Sequence, residues 1–244
     1  MSVKFYKSEN QVPLEMHKVR VVQKLNLLPV DERLRAIQKA GNNTFLLQNK
    51  DIYLDMLTDS GVNAMSDRQT AAMHLADDAY AGSETFLRLK AAMKEVFGTD
   101  NILPAHQGRA CENILAERFV KPGMVAIMNF HFTTTKAHVT RCGGEVVEVL
   151  HKKGLIPQSD DPFKGDMDLN ELRRIISEYG PEKVAYVRVE AGTNLIGGQP
   201  VSVQNVLEVS NVCKKYGIPL MIDASLITDN LYFNKVREPA CKDM

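Results

Sequence analysis

A short segment before one predicted helix carries residues that can bind a phosphate. Gln107-Gly108-Arg109 stands directly before the predicted helix Ala110 to Phe119. The first N–H groups of a helix have no partner within it, and the helix dipole adds to their attraction for an anion. Gly108 also lets a ligand approach the backbone closely. The alternative interpretation of these residues is an ordinary turn.

Three other residues follow predicted strands and have complementary chemistry. Phe132 comes after the strand Val125 to Met128, where its ring can stack on a flat ligand. Asn194 comes after the strand Val184 to Val189 and can donate a hydrogen bond, and Asp223 directly follows an apolar run. A carboxylate in that place can hold a protonated ring nitrogen. A core aromatic, a turn asparagine and a helix N-cap are the respective alternatives.

The order of these residues along the chain is more informative than any one of them. Together they supply partners for a phosphate, a ring plane, a phenolic oxygen and a ring nitrogen, which is most of a pocket for pyridoxal phosphate. Enzymes with this cofactor normally hold it through a lysine some tens of residues beyond the aspartate. In this sequence only Lys235 and Lys242 follow Asp223.

Composition excludes several classes of function. The 244 residues include 30 basic and 30 acidic side chains and are 44% hydrophobic. With no net charge, the chain is not expected to bind nucleic acid or an anionic membrane surface, which leaves small-molecule chemistry. It has no apolar run near the roughly 20 residues that a membrane-spanning helix requires. The four cysteines form no Cys-x-x-Cys pair and no signal peptide is evident, so we expect a cytoplasmic protein.

Alternating strands and helices predict an α/β fold, a three-layer sandwich around a mainly parallel sheet. Ligands bind such sheets at the carboxyl ends of the strands, where the candidate residues fall. We expect residues 1–50 to form an arm with one helix and residues 51–244 to form one large domain. The other predicted helices are Asp31 to Ala40, Asp67 to Asp77, Glu84 to Phe97, Thr134 to Arg141, a helix from the cap Asp168 to Tyr179, and Val203 to Tyr216, and the other predicted strands are Ile52 to Leu57, Ile102 to Leu103, Val146 to Leu150 and Pro219 to Ile222.

Six motifs in order resemble the aromatic amino-acid β-eliminating lyases, the family of tyrosine phenol-lyase and tryptophanase, and the similarity runs from about Pro29 to Lys242. The resemblance implies the large domain of a type I pyridoxal-phosphate transferase fold, like that of aspartate aminotransferase. It also implies a monovalent cation such as potassium and a tetramer with active sites between subunits. The motifs are Asn43-Thr44-Phe45-Leu46-Leu47, Leu57-Thr58-Asp59-Ser60-Gly61, Asp78-Ala79-Tyr80-Ala81-Gly82-Ser83, His106-Gln107-Gly108-Arg109, Phe163-Lys164-Gly165-Asp166 and Gly197-Gly198-Gln199-Pro200-Val201-Ser202.

The resemblance also implies roles for the cofactor-binding residues. Gln107, Gly108 and Arg109 would hold the phosphate. Phe132 would stack on the ring and Asp223 would pair with its nitrogen. The residues that would meet the substrate carboxylate and the cofactor are Thr58, Ser60 and Asn194.

Other matched positions bear on catalysis and specificity. Tyr80 resembles the tyrosine that reaches a neighbouring subunit's site and protonates the leaving aromatic carbon, with a half-buried interface tyrosine as the alternative. Gly61 and Asp78 fall where the family binds its cation, although Asp78 replaces a glutamate. Thr133, beside Phe132, is typical of phenol-lyases rather than tryptophanases, and favours tyrosine as the substrate.

Two departures from the family pattern affect the expected activity. An arginine usually stands three residues after the ring-nitrogen aspartate, where this chain has Leu226. The family lysine, in a Ser-x-Lys-Lys context, and the C-terminal domain would lie beyond Met244. We therefore expect a truncated copy or one half of a split carbon–carbon lyase, needing a companion chain with the other half. The alternatives are an inactive cofactor-binding partner subunit and an unrelated α/β binding protein.

The absent lysine motif gives a first prediction. The 244-residue chain should form no stable covalent link to pyridoxal phosphate, because neither lysine after Asp223 has the serine-led setting, Lys235 lying in Phe233-Asn234-Lys235 and Lys242 in Cys241-Lys242-Asp243. Titration with the cofactor, borohydride reduction and peptide mass mapping would measure this. A single lysine labelled in good yield would contradict it.

Overall fold

A computed structural model describes residues 2–4, 11–13, 24–58 and 64–243. The chain divides into two compact units, Met1–Ala92 and Met93–Met244. The domain boundary predicted near residue 50 stays a prediction, and each unit is described by itself.

The first unit contains short elements joined by turns. Strands β1 (Ser2–Lys4) and β2 (Gln11–Pro13) pair in antiparallel fashion. Helix α1 is Val30–Lys39 and helix α2 is Asp67–His74, and α3 (Glu84–Phe97) runs on into the second unit. The sequence predicted all three helices. Helix α2 begins with a capping box, in which Ser66 and Gln69 satisfy each other's backbone N–H groups.

Two predictions in this unit are wrong in detail. The segment Ile52 to Leu57 forms no strand, because the side chain of Asp55 accepts the N–H groups of Leu57 and Thr58 at 2.9 and 3.1 Å and turns the backbone. Helix α2 ends at His74 instead of Asp77. The carboxylate of Asp77 accepts the N–H of Thr85 at 2.8 Å, which ties it to the start of α3.

In the described part of the second unit, four parallel strands form the central sheet. These are β3 (Val125–Met128), β4 (Glu145–Glu148), β5 (Val184–Glu190) and β6 (Leu220–Asp223), in the order β4-β3-β5-β6. The helices are α4 (Gly108–Phe119), α5 (Thr133–Arg141), α6 (Leu169–Tyr179), α7 (Val203–Tyr216) and α8 (Ile227–Arg237).

Apolar side chains cover both faces of this sheet. On one face Ala126, Met128 and Tyr186 pack with residues of α4 and α5. On the other face Ile127 and Val187 pack with residues of α6 and α7. Strand β5 is buried along its whole length. The predicted α/β sandwich with a parallel sheet is therefore confirmed.

Two strand predictions here need correction. Ile102 to Leu103 forms no strand, since the run is too short and pairs with no described strand. Strand β4 ends at Glu148 rather than Leu150. Leu150 instead makes an isolated antiparallel bridge with Met167, where the chain has left the parallel sheet.

The side chain of Asp166 binds the N-cap residue of helix α7, 36 residues further along the chain. Its two oxygens accept the N–H of Ser202 at 2.7 Å and the hydroxyl of Ser202 at 2.9 Å, and Ser202 is the N-cap of α7. Burial raises the pKa of Asp166 to about 6, although both hydrogen bonds act to lower it. The folded protein therefore binds this proton more tightly than the unfolded chain does.

This pKa predicts a pH dependence of stability. Because the folded pKa is raised, the contribution of Asp166 to the free energy of unfolding is most favourable below its ordinary pKa of 3.8 and is lost as the pH rises through about 6. Asp166→Asn keeps an acceptor for the Ser202 N–H and does not titrate, so it should flatten the fall in urea midpoint across this window. Asp160→Asn, at an exposed position, is the control. Equal pH profiles for Asp166→Asn and the unmodified chain would refute the assignment.

Candidate cofactor site at the carboxyl edge of the sheet

The N-terminus of α4 offers unpaired backbone donors. Gln107 is its N-cap residue, in extended conformation, and no side chain caps the helix. Among the described residues no acceptor is found for the N–H groups of Gly108 and Arg109, whereas that of Ala110 donates to Gln107 O at 3.0 Å. A Cβ on Gly108 would have no atom within 4 Å, so the approach to these donors is open. The arrangement suits a phosphate.

Glu112 brings a second helix N-terminus beside the first. Its two carboxylate oxygens accept the hydroxyls of Thr134 and Thr135, in the first turn of α5. Phe132, half-buried, is the N-cap residue of α5, and Thr133 is its first residue and exposed. Phe132 and Thr133 therefore lie at the helix end that Glu112 joins to α4.

Asn129 fixes the carboxyl ends of β3 and β5 together. Its side chain is fully buried, and its amide nitrogen donates to Gly165 O at 3.0 Å, Glu190 O at 3.1 Å and Thr193 Oγ1 at 3.1 Å. Its amide oxygen accepts the Glu190 N–H at 3.0 Å. Gly165 must be glycine here, because a Cβ would lie 2.7 Å from both Gln199 O and Thr193 Oγ1.

Asp223 ends β6 at the same edge, opposite Glu190 in the strand register. Arg188 donates to its Oδ2 at 2.6 Å, and the Ser225 N–H donates to its Oδ1 at 2.9 Å, with the Ser225 hydroxyl on Oδ1 as well. Burial acts to raise the pKa of Asp223, but the hydrogen bonds from Ser225 and the charge of Arg188 outweigh burial and hold the pKa below its usual value. The carboxylate is ionised at neutral pH. The alternative interpretation of Asp223 as an N-cap is wrong, since Leu226 holds that place before α8.

Asn194 lies just beyond β5 and begins the short 3-10 helix Asn194–Ile196. Its backbone N–H donates to Glu190 Oε1 at 3.3 Å, so the segment is anchored to the end of β5. The residue is exposed. Asn194 is therefore held at the same edge as Asp223.

The remaining predicted residues belong to the first unit. Thr58, Asp78 and Tyr80 are exposed there, and Thr58 is bonded to Asp55. Ser60 and Gly61 lie outside the described residues. Over the described ranges, the structure contains no group of three His, Cys, Asp or Glu side chains that could hold a metal ion.

Sequence reasoning missed four residues that shape this edge: Asn129, Glu112, Arg188 and Glu190. Arg188 and Glu190 are buried within β5, with 4% of each residue exposed. The signal was present, because two charged residues interrupt an otherwise apolar strand. Charged side chains are seldom fully buried unless they are paired.

These features define an α/β protein with a helix end that offers unpaired N–H groups, an aromatic residue and an ionised carboxylate at the edge of its sheet. A sequence profile described as beta-eliminating lyase matches residues 55–241, and the chain belongs to that family. No helix in the described ranges is long and apolar enough to cross a membrane.

Several tyrosine phenol-lyases are similar to this chain. The enzyme of Pasteurella multocida is 42% identical over 95% of this chain and 50% of its own length, and that of Symbiobacterium sp. is 41% identical over 94% and 50%. The enzyme of Nostoc punctiforme is 43% identical over 92% and 48%. The chain therefore spans about half the length of these relatives.

Similar solved structures are more distant. Cystalysin from Treponema denticola, whose crystal contains pyridoxal 5'-phosphate, has a TM-score of 0.48 and 15% identity over 63% of this chain and 38% of its own. Alanine aminotransferase from Pyrococcus furiosus has a TM-score of 0.45 and 16% identity over 56% and 33%. Because these TM-scores and identities are low, the family assignment rests on the sequence matches alone.

The position of Asn129 gives a prediction on stability. Asn129→Ala would leave buried Gly165 O, Glu190 O and Glu190 N–H without this partner, so we expect a loss of about 2–4 kcal/mol in the free energy of unfolding. Chemical denaturation measures it. Asn170→Ala, at an exposed position of α6, is the matched control and should change stability by less than about 0.5 kcal/mol. A similar small loss for both variants would contradict the role of Asn129.

Proposed function

We propose that this chain forms the pyridoxal-phosphate-binding part of a carbon–carbon lyase that converts tyrosine and water into phenol, pyruvate and ammonia. The observation that carries the proposal is 42% identity to a tyrosine phenol-lyase over 95% of the chain. The carboxyl edge of the sheet supports it, since the phosphate, the ring plane and the ring nitrogen of the cofactor each have a matching group there.

The donor set fits this cofactor in three respects. The unpaired N–H groups of Gly108 and Arg109 suit its phosphate, and the side chain of Arg109 adds positive charge. Phe132 offers an aromatic face. The ionised carboxylate of Asp223 suits a protonated ring nitrogen.

When bound, the cofactor would supply an electron sink for the bond-breaking steps. Asp223 would hold the proton on the ring nitrogen, and Asn194 would donate a hydrogen bond to the phenolic oxygen. Thr58 and Ser60 would bind the substrate carboxylate. Tyr80 would give a proton to the aromatic carbon as phenol leaves.

Thr133 supports tyrosine over tryptophan as the substrate. It is the first residue of α5 and exposed beside Phe132, so its hydroxyl is free to bond a phenolic hydroxyl. An indole N–H is better matched by a carboxylate acceptor than by a threonine hydroxyl. The tryptophanase reaction is therefore the weaker alternative.

A second candidate function is a cofactor-binding partner subunit without activity of its own. Leu226 favours it, because an arginine at this position would supply a charge-assisted hydrogen bond that leucine cannot make. The phosphate and ring-nitrogen partners remain in place in this candidate.

We further propose a cytoplasmic oligomer, a family-type homotetramer or a complex with a companion chain that carries the other half. Exposed apolar residues in the first unit support association, among them Met56 and Leu75, each 85% exposed. Tyr80 is fully exposed in this chain and would reach its substrate in a neighbouring subunit. The same proposal includes a potassium ion bound at Gly61 and Asp78.

Binding of two related ligands tests the cofactor site. Arg109→Ala should weaken binding of pyridoxal phosphate about tenfold and leave binding of pyridoxal, which lacks the phosphate, nearly unchanged. Asp223→Ala should weaken binding of both. Arg118→Ala, exposed on the same helix, is the control and should change neither. Equilibrium dialysis of the unmodified chain and the three variants against each ligand gives the affinities.

Three results would decide against all or part of the proposal. The cofactor assignment fails if the unmodified chain does not bind pyridoxal phosphate. If it binds and the assembled complex releases no pyruvate from tyrosine, the inactive partner subunit becomes the better description. Release of pyruvate from tryptophan but not from tyrosine would make tryptophan the substrate in place of tyrosine.

A further inference from the structure

Asp223, the proposed partner of the ring nitrogen, belongs to a largely buried cluster of three charged side chains. Arg188 Nη1 lies 3.5 Å from Glu190 Oε2, and Arg188 Nη2 lies 2.6 Å from Asp223 Oδ2. The side chains of Arg188 and Glu190 are 5% and 6% exposed, whereas that of Asp223 is 21% exposed. Asp223 is thus the member of the cluster that a ligand can reach.

The charges of this cluster do not cancel. With both carboxylates ionised, one guanidinium faces two negative groups, so one negative charge is left over. Burying an unbalanced charge is costly, and a buried pair alone could be replaced by apolar residues at little cost in stability. The excess charge is therefore unexplained by folding.

Hydrogen-bond geometry indicates where the excess charge is available. A carboxylate has about four acceptor positions. On Asp223, Oδ1 accepts the N–H and the hydroxyl of Ser225, and Oδ2 accepts Arg188. One position on Oδ2 remains, on the partly exposed member of the cluster.

We propose that Glu190 offsets the charge of Arg188, so that Asp223 keeps one negative charge for a ligand with a cationic ring N–H. Without Glu190, Arg188 would neutralise Asp223 and the site would have no preference for a positively charged ring. Glu190 is then a specificity-determining residue that acts through Arg188 and Asp223 and touches no ligand. The inference rests on the proposed cofactor site and names what sets its selectivity.

The test compares two ligands that differ only at the ring nitrogen. Pyridoxal phosphate and its analogue with C–H in place of that nitrogen are measured by equilibrium dialysis on the unmodified 244-residue chain. We expect the chain to prefer pyridoxal phosphate by about tenfold, as a charge-assisted hydrogen bond provides. Glu190→Gln keeps an acceptor for the Asn194 N–H and should lose most of this preference.

A charge-restoring variant separates this role from a structural one. Arg188→Met combined with Glu190→Gln again leaves one negative charge, on Asp223, and should recover the preference. A residue that only supports the fold would give a double variant worse than Glu190→Gln. Arg174→Met, an exposed arginine of α6 paired with Glu171 and Glu178, is the control and should match the unmodified chain.

The outcomes distinguish the inference from the function it rests on. If the unmodified chain binds both ligands equally, or Glu190→Gln keeps the full preference, the role of Glu190 is refuted while the cofactor site stands. A double variant without preference also refutes it. If Glu190→Gln does not fold, the double variant and the unmodified chain are compared instead. Loss of the preference for pyridoxal phosphate in either of them then refutes the role of Glu190. Failure to bind pyridoxal phosphate at all would instead remove the proposed function.

Discussion

The hydrogen bonds of Asn129 are the constraint on which the carboxyl edge of the sheet depends. Parallel strands end in exposed backbone groups on the side of the sheet where ligands bind. The positions of these strand ends must be fixed before the side chains on them can be held in place. The buried amide of Asn129 bonds both backbone groups of Glu190 and the carbonyl of Gly165. It thereby joins the end of β3, the end of β5 and the Gly165 loop.

Because that edge is fixed, strand β5 can bury charged residues. A charged side chain in a fully buried strand is tolerated only with close partners. Register supplies them, because Glu190 and Asp223 face each other across β5 and β6, and Arg188 reaches both carboxylates. A slip of one residue in this register would turn Arg188 toward the apolar face packed with α6 and α7.

The sequence predicted elements well where hydrophobic pattern and capping agree. The bounds of β3 and α7 and the Asp168 cap of α6 were predicted correctly, since each combines an apolar run with a clear start or stop. The prediction for Ile52 to Leu57 failed because an Asp55 turn overrides a short apolar run. The candidate site was found from the polar residues that follow strands. Asn129 was missed because its partners lie 36 to 64 residues away in the chain. Arg188 and Glu190 stood out as charges in an apolar strand, but the partner that joins them to the site, Asp223, is 35 residues beyond Arg188.

The polarity of this edge sets the direction in which a ligand can bind. The N–H groups of Gly108 and Arg109 at the start of α4 have no acceptor among the described residues and favour an anion. Both carboxylate oxygens of Glu112 accept the hydroxyls of Thr134 and Thr135. Asp223, at the end of β6, favours a cation. A flat ligand with a phosphate at one end and a protonated nitrogen on its ring therefore has one favourable orientation, because reversing it would bring each charge against its own sign. In the proposed site Phe132 would have to fix only the plane of the ring. Charge would then set the orientation of the ligand, and stacking would set its plane.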